Sequence, residues 1–173
     1  LNDGDTVLDF FSGSATTAHS LMQVNAESNI KNIKYILVQI AEDLDESLRQ
    51  AQKDAVRTLE VGIEYLDSVN KPHTICEIGK ERIRRAGAKI KSETGADIDY
   101  GFRVLKLDDT NMQEVYYTPA ETDQQMLLGF ESNIKPDRTD LDLLFGCLLD
   151  WGLPLSMPYS SEQIEGVTVH TYN

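Results

Sequence analysis

The first part of the chain alternates between apolar runs and an amphipathic segment. Residues 7–11 are apolar apart from one acid and stop at Gly13 and its serine neighbours, which predicts a buried strand ending in a tight turn. Residues 16–24 carry apolar side chains at helical spacing and predict a helix. Residues 35–40 are nearly continuous in apolar side chains, as is typical of a parallel strand covered on both faces. Together these segments predict the opening of an α/β unit.

The middle of the chain predicts two longer helices and a third strand. Residues 43–66 have an apolar stripe at helical spacing and predict one continuous helix. Thr74 and Glu77 have the spacing of a capping box and predict the start of the next helix, for which Gly95 suits the C-terminal cap. Residues 102–107 predict a third strand.

The C-terminal part predicts a small mixture of helices and strand. Thr118 and Glu121 form a second capping-box pattern. Residues 141–151 predict a helix that is apolar over much of its circumference, so it needs burial in a core or in a subunit interface. Residues 167–172 are rich in β-branched side chains and predict a strand with Val167 and Val169 on one face.

Composition and charge exclude several classes of protein. The chain has 29 acidic residues against 16 basic ones, which argues against a general nucleic-acid binder, because phosphate contacts need Lys and Arg. No apolar run approaches the ~18 residues of a membrane span. The polar start without an initiator Met suggests a piece of a longer protein. Cys76 and Cys147 fit no zinc or redox spacing, and two small thiols predicted to be core residues suit a reducing, cytoplasmic setting.

The turn after the first predicted strand carries the candidate chemistry. Asp9 stands near the end of the strand, small residues follow, and a helix then begins whose free N–H groups and dipole attract a carboxylate or phosphate. A P-loop is excluded because residues 1–30 contain no lysine, and the dinucleotide fingerprint is excluded because Gly13 is the one glycine of the turn. S-adenosylmethionine (SAM) remains, since it offers a carboxylate, an ammonium and an adenosine.

The same residues resemble a known cofactor motif. The segment reads Asp9-x-Phe11-x-Gly13-Ser14-Ala15-Thr16-Thr17. It resembles the Asp-x-Phe-x-Gly-Ser-Gly-Thr-Thr motif of the β-class DNA N6-adenine methyltransferases, with Ala15 in place of the usual Gly. Further similarity favours the modification (Mod) subunits of type III restriction-modification systems. That similarity lies in residues 35–39, 78–86, 101–108 and 144–173.

The resemblance implies a fold and a set of domains. It implies an α/β fold with a partial Rossmann-like sheet of a SAM-dependent methyltransferase, followed by a small α+β C-terminal region. Residues 1–110 would be the cofactor-binding part of the methyltransferase domain. Residues 111–173 would form the C-terminal region, with a subunit interface as one role.

The resemblance also implies roles for individual residues. Asp9 would orient the methionine ammonium, and Phe11 would wall the cofactor. Gly13 and Ser14 would allow close backbone approach, while the N–H groups near Thr16 and Thr17 would take the carboxylate. In addition, Gln39 falls where many relatives carry the acid that binds ribose, with Glu42 as the nearby alternative acid.

The implied reaction is methyl transfer from SAM to N6 of adenine in DNA, with the target base flipped out of the stack. The family's catalytic Asp/Asn-Pro-Pro-Tyr/Phe motif does not occur in the sequence, so these residues alone are expected to be inactive. In the family this motif and the DNA-reading region precede the cofactor motif, so DNA would be bound mainly upstream. Expected partners are a second Mod subunit and a restriction (Res) subunit, without a membrane.

Other interpretations stay open at this point. The chain could be a subunit-assembly module with a degenerate cofactor loop, or a nucleotide binder of unrelated chemistry. Phe10 is expected in the core rather than at the ligand. Residues 80–91 hold six basic side chains against one acid, which could contact DNA phosphates or pair with the acidic remainder of the chain.

Overall fold

The computed structural model describes residues 1–113 and 133–173 of the chain. They form a mixed α/β structure with two compact units, residues 1–102 and 103–173. The predicted helix start at Thr118 and Glu121 lies outside the described residues. The functional division placed near residue 110 stays a prediction.

The first unit opens with a parallel strand–helix–strand motif, as predicted. Strand β1 (Thr6–Asp9) leads into helix α1 (Thr16–Glu27), which crosses over to strand β2 (Lys34–Leu37). The two strands pair in parallel from Thr6 opposite Lys34 to Asp9 opposite Leu37. This confirms an α/β fold, but a partial Rossmann-like sheet is not seen in the described residues, where the parallel sheet has two strands.

A buried asparagine fixes the return from α1 to β2. The side-chain amide of Asn25 donates to the backbone carbonyl of Ile33 and accepts from its N–H, both at 2.9 Å. Because Asn25 is buried, these two bonds take the place of the hydrogen bonds that its amide would make to water. The loop is therefore held at one register, and the pattern of apolar residues gave no signal for it.

The helix predicted over residues 43–66 is two helices. Helix α2 (Leu44–Gln50) and helix α3 (Lys53–Ser68) are separated by Ala51 and Gln52, which have extended backbone angles. The prediction of one continuous helix was therefore wrong. The break turns the chain so that α2 packs against α3, and it allows both Leu44 and Leu66 to be buried.

Helix α4 (Ile75–Thr94) supplies the main support of the first unit. Its residues Ile83, Ala86 and Ile90 are buried against Ala18 and Met22 of α1. Gly95 ends the helix in the left-handed conformation, as predicted. The predicted capping box does not form, because the Thr74 side chain makes no capping hydrogen bond and the Glu77 carboxylate pairs with Lys80 instead.

The basic side chains of α4 are largely paired within the first unit. Arg85 binds Glu81 at 2.7 Å and lies over the ring of Tyr65. Lys89 lies 3.8 Å from Glu93. These contacts favour the interpretation that the basic side chains of α4 pair with neighbouring acids and aromatic rings. They argue against the alternative that these side chains bind DNA phosphates.

The segment predicted as a third strand does not form one. Residues 102–107 have no strand conformation, and Val104, Leu105 and Leu107 are exposed. Tyr100 and Phe102 just before them do pack on the buried cluster of α1 and α4. The apolar residues of this segment thus indicated a contact with the core, which Phe102 makes. No strand among the described residues pairs with residues 102–107.

The two-stranded parallel sheet is covered on one face. Tyr35 and Leu37 pack against the α1–α4 cluster, whereas Leu8 and Ile36 on the other face are exposed. Phe10 follows on this exposed side and is 61% exposed, so the prediction that it is a core residue was wrong. Within the first unit this face stays exposed at Leu8, Phe10 and Ile36, although parallel sheets are ordinarily covered on both faces.

The second unit contains helix α5 (Asp140–Asp150) and a hairpin of strands β3 (Tyr159–Ile164) and β4 (Val167–Tyr172). These confirm the predicted helix at 141–151 and strand at 167–172. Glu165 and Gly166 both have positive φ, which gives the tight turn that a hairpin prefers.

The alternation predicted for β4 is present, but the cysteine of α5 is not placed as expected. Val167 and Val169 share one face of β4, which is exposed, and Tyr172 on the other face lies near the ring of Phe145 on α5. Arg103 lies over the Phe145 ring and is held by backbone carbonyls. The expectation that Cys147 is a core residue was wrong, since its side chain is exposed on α5, while Cys76 is half-buried.

None of the helices in the described ranges is long and apolar enough to cross a membrane.

A histidine joins α2 to the end of α3. The Nδ1 atom of His73 lies 2.9 Å from Asp45, and its Nε2 atom lies 2.9 Å from Asp67. Both ring nitrogens can donate only in the protonated ring. The hydrogen bond to Asp45, and then that to Asp67, raises the pKa of His73 above its ordinary value of 6.5.

We expect this contact to stabilise the fold in a pH-dependent way. A raised pKa means that the stabilisation is fully present below the unfolded-state pKa and is lost as the pH rises through the folded-state pKa. The melting temperature of His73→Gln should therefore fall furthest below wild type in acid and approach it in alkali. Asp67→Asn should show a smaller version of the same trend. A deficit that is independent of pH would contradict the role of the charged ring.

Candidate functional site

The candidate site lies where β1 and β2 end side by side. Asp9 is the last residue of β1, and its carboxylate accepts hydrogen bonds from the Thr17 hydroxyl at 2.6 Å and from the Phe11 N–H at 3.1 Å. The carboxylate thereby ties the end of the strand to the first turn of α1. An acid at this position therefore holds the shape of the loop and places a carboxylate next to the loop.

The loop enters α1 through two left-handed residues. Gly13 has φ 50°, and Ala15 has φ 61° and ψ 38°. Ala15 is 3% exposed and its N–H donates to the Ser12 carbonyl at 2.7 Å. This is the position at which the resemblance places a glycine, and the structure shows why glycine is suited to it: an L-residue in this region costs about 1–2 kcal/mol.

The N-terminus of α1 is open towards the loop. Ala15 occupies the capping position and has no side-chain oxygen with which to cap, and the first turn contains no acidic residue. The first N–H groups of a helix lack partners within the helix, and the helix dipole makes this end electropositive. The arrangement suits a carboxylate or phosphate group.

The neighbouring strand end braces the loop. The Gly13 N–H donates to Oε1 of Gln39 at 2.7 Å, and the amide nitrogen of Gln39 donates to the Ile40 carbonyl at 3.1 Å. The Ser12 N–H donates to the Val38 carbonyl at 3.3 Å. Two consecutive loop amides are thus fixed to the chain that leaves β2.

Helix α4 supports the same loop from below. A Cβ placed on the buried Gly79 would lie at ordinary contact distance, 3.4 Å from the Gly13 carbonyl oxygen and 3.5 Å from the Ala15 Cβ, so α4 packs directly against the loop at this residue. The Cys76 thiol lies 3.7 Å from the carbonyls of Gln39 and Ile40. Burial raises the pKa of this thiol, so it stays protonated as a weak donor.

An open, acidic hollow of about 580 Å³ begins at Gln39. Residues 39–43 and part of α2 line it, including Glu42, Asp43 and Glu46. The Glu42 carboxylate accepts from the Ser47 hydroxyl at 2.7 Å. Carboxylates of this kind accept hydrogen bonds from sugar hydroxyls, and the charge strengthens the bond.

The structure brings together some of the residues that the sequence singled out. Asp9, Gly13, Thr17 and Gln39 are joined by hydrogen bonds around one loop. Ser14 is half-buried in that loop, whereas Thr16 and Phe11 are exposed, Phe11 by 83%.

Sequence reasoning missed three residues that support the loop. These are Ser12, Cys76 and Gly79. Gly79 gave a weak signal as a glycine within a predicted helix, where it ordinarily destabilises and so needs a packing reason. The other two gave none, because their contacts join segments far apart in the chain.

Among residues 1–113 and 133–173, no three His, Cys, Asp or Glu side chains come together as possible metal ligands. The groups present at the site are backbone donors, carboxylates and the exposed ring of Phe11.

Comparison of the chain with models of known protein families, with curated proteins and with solved structures found no match. The resemblance to β-class adenine methyltransferases stays a prediction from the motif and the other similar segments.

The left-handed conformation of Ala15 gives a stability prediction with a matched control. Ala15→Gly and Ala18→Gly each remove one methyl group from a buried position, but Ala18 lies within the right-handed α1. Glycine costs about 1 kcal/mol in a helix interior, whereas at position 15 it relieves strain. In urea titrations we expect the free energy of unfolding of Ala15→Gly to exceed that of Ala18→Gly by about 2–3 kcal/mol, the sum of the relieved strain and the helix cost. Equal losses in the two variants would contradict a strained Ala15.

Proposed function

We propose that the chain binds SAM at the loop of residues 12–17 and is the cofactor-binding part of a site-specific DNA adenine-N6 methyltransferase similar to type III Mod subunits. The observation that carries the proposal is the hydrogen-bonded loop between Asp9, Gln39 and the open N-terminus of α1. It combines an anion site, a carboxylate and an adjoining acidic hollow in one place.

Each part of SAM has a chemically matched partner in this arrangement. The methionine carboxylate suits the N–H groups at Thr16 and Thr17. The ammonium suits the negative charge of Asp9, directly or through the loop that Asp9 holds. The adenosine would extend towards the hollow, with its ribose hydroxyls near Glu42 and the exposed ring of Phe11 as a wall.

The proposed reaction follows from the chemistry of the cofactor. SAM would supply its methyl group to the N6 nitrogen of a flipped adenine. The carbon–sulfur bond would break, S-adenosylhomocysteine would leave, and the N6 proton would pass to water. A group that positions the amino nitrogen is required. The sequence has no Asp/Asn-Pro-Pro-Tyr/Phe motif, so we propose that this group, most of the DNA contacts and the rest of a Rossmann-like sheet belong to other residues of the enzyme.

A second candidate function is subunit assembly, in which the cofactor loop is degenerate. Exposed apolar side chains in the second unit favour it. Leu149 and Trp151, at the end of α5, are 68% and 76% exposed. Mod and Res subunits are the proposed partners in both candidates, which differ in whether the loop binds SAM.

Asp9→Ala tests the SAM site. Loss of a charged partner is worth about 1.5–3 kcal/mol, so calorimetry should show at least about a tenfold rise in the SAM dissociation constant. Thr17→Val removes the hydrogen bond to Asp9 but keeps the charge, and should cost less. Asp97→Ala removes an exposed acid outside the loop and should have no effect.

These three variants separate the alternatives when circular dichroism shows that each is folded. Equal losses in Asp9→Ala and Thr17→Val would mean that Asp9 acts by holding the loop rather than by its charge. A folded wild-type chain that binds no SAM would favour the assembly module.

The chain alone should not methylate DNA. Incubation with methyl-labelled SAM and an adenine-rich duplex should give no incorporation above a control without protein. The reason is that the sequence lacks the Asp/Asn-Pro-Pro-Tyr/Phe motif, which would position the adenine amino group. Incorporation that is lost in Asp9→Ala would contradict a catalytic centre outside this chain.

A further inference from the structure

We propose that Gln39 is a positioning residue that sets the shape of the cofactor loop for the amino-acid end of the ligand, and that it does not bind the ribose. The inference rests on the proposed SAM-binding function. It deepens that function by stating which part of the ligand depends on Gln39.

The hydrogen bonds of Gln39 are the first argument. Its Oε1 atom accepts from the Gly13 N–H at 2.7 Å, across 26 residues of sequence, and its Nε2 atom donates to the Ile40 carbonyl at 3.1 Å. A side-chain amide has one oxygen and one NH₂ group. One N–H of the amide is not used in these two bonds, but turning the half-buried amide so that its oxygen accepts from a sugar would break both contacts and leave the Gly13 N–H without its partner.

The conformation of the loop is the second argument. Gly13 has positive φ, and its N–H points to β2's end rather than into the loop. The preceding Ser12 N–H is likewise bound to the Val38 carbonyl. The Ala15 N–H is also taken, by the Ser12 carbonyl. The donors left for a ligand carboxylate are therefore the Ser14 N–H and those of the first turn of α1. Gln39 thereby decides which backbone groups face the amino-acid end of the ligand.

The acidic hollow is the third argument. Glu42 and Glu46 line it together with Gln39, and they are exposed and negatively charged. Sugar hydroxyls therefore have stronger acceptors available than an amide that is already engaged. A carboxylate at position 39 could still accept from Gly13, but it would lose the bond to Ile40.

The first experiment needs no ligand. Hydrogen exchange of the Gly13 amide is measured by NMR in wild type, Gln39→Met and Gln39→Glu. Gln39→Met keeps the length of the side chain but cannot accept the bond, and should speed exchange by about fivefold or more. Gln39→Glu keeps the acceptor and should restore much of the protection. Gln50→Met, which lines the same hollow but bonds to Glu46, is the matched control and should leave Gly13 unchanged.

The second experiment compares two ligands that share the adenosine. S-adenosylhomocysteine has the amino-acid end, whereas 5′-methylthioadenosine lacks it. Gln39→Met should weaken binding of S-adenosylhomocysteine about fivefold and change that of methylthioadenosine less than twofold. Gln39→Glu should recover part of the lost affinity for S-adenosylhomocysteine.

The outcomes are distinct. Equal losses for both ligands would assign Gln39 to the ribose and overturn the proposal, as would unchanged Gly13 exchange in Gln39→Met. If wild type binds neither ligand, the proposed SAM function fails and the ligand part of this inference fails with it. The Gly13 exchange measurement would still decide whether Gln39 holds the loop.

Discussion

The carboxylate of Asp9 is the constraint on which the candidate site depends. It stands at the last position of a four-residue strand and binds the first turn of the helix that follows, through Thr17. A strand so short has few ladder hydrogen bonds of its own. The side-chain contact therefore fixes the angle between β1 and α1, and it brings the helix N-terminus to the sheet edge where ligands bind in α/β proteins.

The loop that results is supported by the end of β2 and by α4, and this explains how it tolerates strain. Gln39 holds Gly13 from β2, and Gly79 of α4 packs beneath the loop. Ala15 keeps a left-handed conformation because its buried methyl group and its N–H are both fixed by neighbours. Residues in sparsely populated conformations persist where their surroundings over-determine them, and such places are frequent at functional sites.

Charge and apolar surface are distributed unevenly over the structure. Basic side chains of α4 are matched by Glu81, Glu93 and aromatic rings, whereas the hollow beyond β2 is lined by several acids. The uncovered sheet face around Leu8 and Ile36 is apolar. Under the proposed function, the ribose hydroxyls of the ligand would bind at the hollow, where carboxylates can accept from them.

The sequence alone determined the elements with strong periodicity and the loop between β1 and α1, because local propensity, the glycine and the motif all agree there. It predicted α1, α4, α5 and β4, and it singled out Asp9, Gly13, Thr17 and Gln39. Tertiary structure decided what local pattern cannot encode: the break at Ala51, the exposure of Phe10, and the absence of a strand at 102–107. These features depend on whether another segment of the chain lies alongside. The hydrogen bond between Gln39 and Gly13 likewise forms because the ends of β1 and β2, which are distant in sequence, lie side by side.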